Sequence, residues 1–364
     1  MRCIEFYSGI GGMRYATEAL KDHNIKVCAA YEINDIANLV YDYNFPSTSD
    51  SVLTETTENR TVLKQRNICS ITASELDSYK AELWTVSPPC QPFTRQGKQM
   101  DVADNRTNSF LHLIHLLHML RSPPSFILVE NVKGFENSDT RKLLVSALRK
   151  LGYDFREFLL TPAQLAIPNL RLRYYLLARW TKNIERFNFG AQDEMITDPS
   201  VFMKGQRCAA TQDIRPLSHY IELNLTDKQL QSLRLKDEVL LKHAYVLDIV
   251  TPTCRRSCCF TKGYGHFLEG TGSVLKASGP EISLSDAYKI YQDPDATSTA
   301  KLQCLQRLKL RYFSPCEIAS LMEFPDTFAF PESITQKQRY RLLGNSVNVT
   351  VIAVLLNVLL SVQR

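Results

Sequence analysis

The sequence predicts an α/β protein, a doubly wound and mostly parallel sheet joined to a smaller second domain. Three observations carry this expectation. Short apolar runs alternate with helix-length segments over residues 1–182, the pattern of strands linked by crossover helices. A glycine-rich turn, Gly9, Gly11 and Gly12, joins the first run to the first helix-like segment. The rhythm is lost over residues 183–312, which reads as a second, smaller domain or a large insertion, and regularity returns in residues 313–364.

Taken in order, Cys3–Tyr7 is the first strand and Met13–Leu20 the first helix. Val27–Tyr31 is the second strand, followed by a helix over Ile36–Tyr43. Residues 49–66 are polar and rich in Thr, Ser and Glu, which reads as a surface loop or insertion. Further strands are expected at Leu83–Val86, Phe126–Val129, Phe155–Leu160 and Tyr174–Ala178, with helices at Ser109–Leu120 and Thr140–Leu151 between them. Beyond Trp180 there are scattered polar helix signals, such as Thr226 to Lys242, and a glycine-rich stretch from Gly263 to Gly272. Val347–Val362 is apolar and β-branched, and its length favours a buried helix over a strand.

The 364 residues are 44% hydrophobic and 22% charged, ordinary for a globular chain and against disorder over most of its length. A net charge of +5 is only mildly basic, so any polyanion site must come from local clustering. No window reads as long and apolar enough to span a bilayer, and no signal-peptide pattern precedes the first strand. The ten irregularly spaced cysteines are therefore expected as reduced thiols, in the cytoplasm with the nucleus as a second location. His112, His115 and His118 lack a carboxylate or thiol to complete a site, so no metal is expected.

Four segments carry chemistry. Phe6-Tyr7-Ser8-Gly9-Ile10-Gly11-Gly12 allows a tight turn and close approach of the backbone to a ligand at a helix amino terminus. Glu32 ends the second strand twenty residues beyond Gly12, where a doubly wound fold places an acid for ribose hydroxyls. The glycine spacing departs from the dinucleotide fingerprint, which favours a nucleoside bearing a small zwitterion; an ordinary turn beside a solvated acid is the bland alternative. In Ser87-Pro88-Pro89-Cys90-Gln91-Pro92, prolines stiffen a turn after an apolar strand and would hold Cys90 at the sheet edge, although a lone cysteine is as readily core. Glu130 closes an apolar strand and would point into the crevice, unless it caps a helix. Arg171 and Arg173 fall on one face of a strand entry and suit an anion, or solvent.

Together these runs resemble the cytosine-5 nucleic-acid methyltransferases, in that family's order: the glycine loop, Glu32, Ser87-Pro88-Pro89-Cys90-Gln91, Glu130-Asn131-Val132, Gln164 through Arg171-Leu172-Arg173, and Gly344-Asn345-Ser346-Val347. The resemblance covers residues 1–182 and 313–364 and implies a Rossmann-like, S-adenosylmethionine-dependent fold whose residues 183–312 recognise the target. It implies that Cys90 is the nucleophile, that Glu130 contacts the base, and that Arg171 and Arg173 support the catalytic pocket. Phe6, Ile10, Gly11, Gly12, Glu32, Asn67, Ile68, Ser87, Asn345 and Ser346 would surround S-adenosylmethionine, which leaves as S-adenosylhomocysteine. Where related enzymes often carry an acid after the third strand, this chain has Asn67-Ile68.

Cys259-Phe260-Thr261, followed by Lys262-Gly263-Tyr264-Gly265, resembles the small eukaryotic tRNA methyltransferases historically grouped with DNA methyltransferases, as does the lack of a long extension before residue 1. That likeness implies tRNA as partner, aspartate tRNA in particular, with DNA as the alternative and a catalytically inactive nucleic-acid-binding protein as a reading of another class. No membrane partner is expected, and the chain is expected to act as a monomer. Cys259, Phe260, Thr261 and Lys262, with Arg95 and Lys98 in the loop after Cys90, would contact the nucleic acid. Basic clusters at Lys228, Arg234, Lys236 and Lys242, at Arg255 and Arg256, at Lys301, Arg307, Lys309 and Arg311, and at Lys337, Arg339 and Arg341 would form a phosphate track if they share a side.

Overall fold

The computed structural model describes residues 1–46, 61–89, 107–203, 214–276 and 282–361. Cys90, Arg95 and Lys98 lie outside the described residues. The chain opens with β1 (Arg2–Phe6), α1 (Gly12–Ala19), β2 (Lys26–Glu32), α2 (Asp35–Asn44) and β3 (Val62–Gln65). It continues with α3 (Ala73–Tyr79), β4 (Leu83–Val86), α4 (Asn108–Met119), β5 (Phe126–Val132), α5 (Asp139–Leu151), β6 (Tyr153–Leu160), β7 (Arg173–Trp180) and β8 (Met195–Ile196). These eight strands form one sheet in the order β3-β2-β1-β4-β5-β7-β6-β8. The first five in that order run parallel, and β7 is antiparallel to both of its neighbours.

Alternation along β1 sends Cys3 and Glu5 to one face and Ile4 and Phe6 to the other, and all four are fully buried. Helices therefore cover both faces, as a parallel sheet requires. One apolar layer joins Cys3, Ala16, Val40, Leu128 and Leu177 to Val351, Ile352 and Leu355; the other joins Ile4, Phe6, Trp84 and Ile127 to Leu113, Leu117, Leu144 and Leu148. Side chains end the helices as their residue types dictate: Asn34 accepts from Ala37 N before α2, Ser138 accepts from Arg141 N before α5, and Gly152 closes α5 at φ 79°. The strand order reverses at β1, which pairs with β2 on one side and β4 on the other. That reversal opens a crevice at the carboxyl ends of the strands.

The remaining elements are α6 (Asp227–Leu233), α7 (Asp237–His243), β9 (Ile249–Val250), β10 (Val274–Lys276), α8 (Leu284–Gln292), α9 (Ser298–Gln306), β11 (Leu310–Tyr312), α10 (Pro315–Leu321), α11 (Gln336–Asn345) and α12 (Val349–Leu360). Strands β9, β10 and β11 make a separate three-stranded sheet over a small core that includes Leu235, Leu240, Val274, Leu305 and Leu308. The chain then returns to the main sheet. Helix α12 packs on α1, β5 and β7, and the Arg179 guanidinium on β7 donates to the Val358, Leu359 and Ser361 carbonyls at its end.

Three expectations change. Part of the polar stretch 49–66 is not a loop: Val62–Gln65 forms the edge strand β3, which pairs with β2 through Ala29–Glu32. Thr226 to Lys242 is two short helices broken at Arg234–Lys236, each with one buried leucine, Leu233 and Leu240. The stretch Gln336–Leu360 is long and apolar enough, by length and composition, to cross a membrane, contrary to the sequence reading. In the fold, 61% of its most apolar window is buried, and the stretch is two helices, α11 and α12, of which α12 packs into the core.

Candidate active site

A cavity of about 470 Å³ lies at the strand reversal. One end is made by the glycine loop. Gly9 N donates to Glu32 Oε2 at 3.1 Å, while Ile33 N and Asn34 N donate to Oε1 at 2.9 and 2.8 Å. Glu32 thus fixes both the loop and the start of α2, and an ionised carboxylate has about four acceptor positions, so it can still take a ribose hydroxyl. Ile33, 64% exposed, and the buried Ile68 supply apolar surface in the same cavity. Asn67 Oδ1 accepts from Cys69 N, which fixes the turn after β3. Ile10, Asn345 and Ser346 complete this end.

At the other end Glu130 is 6% exposed on β5. Ser87 Oγ donates to its Oε2 at 2.6 Å, and Arg173 Nε lies 3.6 Å from its Oε1. Asn131 Nδ2 reaches the Pro88 carbonyl at 3.4 Å, which ties the proline run to β5. Ser87, Pro88 and Pro89 line the cavity, and Cys90, outside the described residues, is next in the sequence. Arg171 and Arg173 line it as well. The Cys259 sulfur lies 3.5 Å from Arg171 Nη1 and 3.7 Å from Arg173 Nη2. Burial alone would push the Cys259 thiol up, but the two guanidinium groups outweigh it and hold the thiol below its ordinary value. Burial, and then the Arg173 cation, push Arg171 down from its ordinary value.

Several expected residues sit elsewhere. Phe6 is fully buried, stacked on Tyr31 at 5.5 Å and edge-on to Trp84 at 5.0 Å, so it is core and not a cavity wall. Its neighbour Tyr7 takes that place, held at φ 58° with its hydroxyl 2.8 Å from Ser109 Oγ. The period-2 alternation of β1 could have shown this, because Phe6 shares a face with Ile4. Gly11 and Gly12 do not line the cavity. They permit packing: a Cβ on Gly11, at φ 86°, would meet Phe45 at 2.5 Å, and one on Gly12 would meet Val347 at 2.8 Å.

Phe260 is 2% exposed and edge-on to both Tyr264 and Phe313, so its ring anchors the recognition segment from within. Thr261 is half-buried and bonded to Gly263 N, whereas Lys262 is exposed. Among the basic clusters, Arg311 is buried in a two-bond ion pair with Glu317, Arg256 pairs with Asp248, and Arg255 and Arg339 donate to carbonyls. Lys228, Arg234, Lys236, Lys242, Lys337 and Arg341 are exposed. Among the described residues no group of His, Cys, Asp and Glu could hold a metal ion.

The cavity fits S-adenosylmethionine. A carboxylate with spare acceptor capacity, an apolar pair for a flat ring and a glycine turn stand at one end, and a buried acid with two arginines stands at the other. The model of the C-5 cytosine-specific DNA methylase family matches residues 1–361. The chain is 40% identical to a human protein named tRNA (cytosine(38)-C(5))-methyltransferase, over 99% of each chain. It is 36% identical to a Dictyostelium discoideum protein named DNA (cytosine-5)-methyltransferase, over 99% of this chain and 94% of that one. Among solved structures, a Spodoptera frugiperda DNMT2 mutant superposes with a TM-score of 0.81 at 39% identity, covering 98% of this chain and 99% of that one. With the site built from these residues in this order and the family model matched along nearly the whole chain, the protein belongs to the C-5 cytosine-specific DNA methylase family.

Proposed function

We propose that the protein methylates carbon 5 of a cytosine in tRNA, in the anticodon loop of aspartate tRNA, through a covalent adduct with Cys90. The observation that carries this is the pairing of Glu130 with Ser87 and Arg173 in the same cavity as Glu32 and the glycine loop. S-adenosylmethionine, when bound, supplies an electrophilic methyl group and leaves as S-adenosylhomocysteine. The Cys90 thiolate adds to carbon 6 of the ring; the carbon–sulfur bond forms as the double-bond electron pair moves toward carbon 5, which then takes the methyl group. Solvent water takes the carbon 5 proton, the freed electron pair re-forms the double bond to carbon 6, and the thiolate leaves carbon 6, which restores the ring.

Glu130 binds the exocyclic amine and keeps a proton on ring nitrogen 3 during the addition, and its bond from Ser87 fixes the carboxylate for that task. Arg173 sits against Glu130 and stabilises negative charge on the ring. Residues 183–312 present the recognition surface, and Lys262 is an exposed cation beside Cys259-Phe260-Thr261 in the chain. An anticodon loop suits such a pocket because its bases are already unstacked, so turning one out of the loop costs less than extracting it from a duplex.

The names of the human, Spodoptera frugiperda and Schizosaccharomyces pombe relatives favour tRNA; that of the Dictyostelium relative favours DNA as the second reading. Incubation with label-bearing methyl donor and either total tRNA or duplex DNA separates them. Labelling of tRNA is expected, and preferential labelling of DNA would overturn the choice.

A further inference from the structure

The two arginines of the site do different work. Arg173 reaches Glu130. Arg171 is 4% exposed and its terminal nitrogens are engaged by main-chain carbonyls. Nη1 donates to the Phe260 carbonyl at 3.3 Å beside the Cys259 sulfur. Nη2 donates to the Gly344 carbonyl at 3.3 Å and also to the Ser346 carbonyl. Of the three guanidinium nitrogens of Arg171, Nε alone has no partner among the described residues. One planar group therefore joins the turn Gly344–Ser346, which lines the donor end of the cavity, to the segment Cys259–Lys262.

A second observation places the same two segments in direct contact. A Cβ on Gly344 would lie 2.1 Å from Lys262 N and 2.3 Å from the Thr261 carbonyl carbon. The end of α11 thus rests on the backbone of the recognition segment with no side chain between them. The chain just before Arg171 is also fixed to the residues just before Cys259, through Leu170 N to the Ser257 carbonyl at 2.9 Å and Asn169 Nδ2 to the Cys258 carbonyl at 3.2 Å. Backbone packed this closely moves as a unit, and the guanidinium fork fixes the register between its parts.

We infer that Arg171 is a positioning residue that couples the methyl-donor turn to the nucleic-acid recognition segment, so that each ligand raises the affinity for the other. The inference rests on the proposed function for the identity of the second ligand. A donor that orders Asn345 and Ser346 orders the carbonyls that hold Nη2; the rigid fork carries that order to Phe260 and its neighbours, which the nucleic acid then need not order itself. Coupling of this kind is reciprocal, and a factor of roughly ten is typical. Lysine in place of Arg171 keeps the charge but has no fork and cannot hold both sides.

The test uses the full chain, S-adenosylhomocysteine as the non-reacting donor probe, and either an aspartate tRNA transcript or duplex DNA. Calorimetry gives the S-adenosylhomocysteine Kd with and without nucleic acid. The wild-type protein is expected to show roughly tenfold tightening with its preferred nucleic acid, Arg171→Lys to show none, and Arg173→Lys to keep the coupling while losing turnover. A purely structural role for Arg171 would lower stability without removing the coupling factor. A second measurement needs no variant: hydrogen exchange on the wild-type protein should show S-adenosylhomocysteine slowing the amides of residues 259–264 as well as those of 344–346. Protection confined to 344–346, absence of coupling in the wild type with both nucleic acids, or a folded Arg171→Lys with undiminished coupling would each overturn the inference. Donor binding with tRNA labelling intact would then leave the functional reading standing, whereas coupling seen only with DNA would overturn the choice of tRNA and keep the clamp.

Discussion

At the scale of single residues, the site is built from side chains whose surroundings set their state. Glu5 shows how far this extends beneath the cofactor loop. It is fully buried on β1, accepts from the Tyr41 hydroxyl at 3.0 Å, and leaves Oε1 without a partner among the described residues. Burial pushes its carboxyl up from the ordinary 4.5 to about 8, against the pull of Tyr41 and of Arg14 on α1, with Glu18 adding to the rise. The unfolded chain releases this proton near 4.5, while the folded chain holds it to about 8. The stability it contributes is therefore complete below the lower value and is lost as pH rises through the upper one. Glu5→Gln copies the protonated acid. It is expected to flatten the fall in stability between pH 5 and 8 and to exceed the wild type at pH 8 by on the order of 1 kcal/mol or more. Parallel urea midpoints for both proteins across that range would show that Glu5 does not titrate as described.

Among elements, the strands of the core were legible because each is a short apolar run bounded by turn residues, and the site residues stand at their carboxyl ends. Glu32 and Glu130 could be placed from that rule alone. Strand β3 was not legible. It reads Val-Leu-Lys-Gln, and its Lys64 pairs with Glu75 on α3, which also holds Arg66 and the Tyr31 hydroxyl. Only the tertiary cluster makes that segment a strand.

The apolar terminal helix was legible, but what stops it was not. The Arg179 side chain, 4% exposed, satisfies three carbonyls at the end of α12 and lies over the Phe187 ring at 4.2 Å. A cation there also complements the helix dipole. Arg179→Met is expected to lower unfolding stability by about 2–3 kcal/mol, since it leaves buried carbonyls unpaired. A change within a few tenths in chemical denaturation would show that the cap carries no weight.

Across the whole molecule, three distant parts of the chain close one cavity: the glycine loop, the strand ends with their arginines, and the Gly344–Ser346 turn. The close packing of Gly12 against Val347 and Ser346 shows why the terminal segment must come back. Its return was readable from the Gly344-Asn345-Ser346 motif, whereas the organisation of residues 183–312 was not. Strands β9, β10 and β11 are two or three residues long, too short to show a period, and their region is held by buried polar contacts such as Arg311 with Glu317 and Tyr264 with Ser273 and Phe313. For the same reason Phe260 looked like a contact residue in the sequence and proves to be an anchor. The proposed function draws on one cavity, ordered by Glu32 at one end and by Glu130 with Arg173 at the other. Bisulfite sequencing of total tRNA incubated with the protein and S-adenosylmethionine tests it most directly, because it reports nucleic acid, base and position at once. One newly protected cytosine in the anticodon loop of aspartate tRNA is expected, absent with Cys90→Ala; protection that survives Cys90→Ala, or that arises in duplex DNA and in no tRNA, would overturn the proposed function.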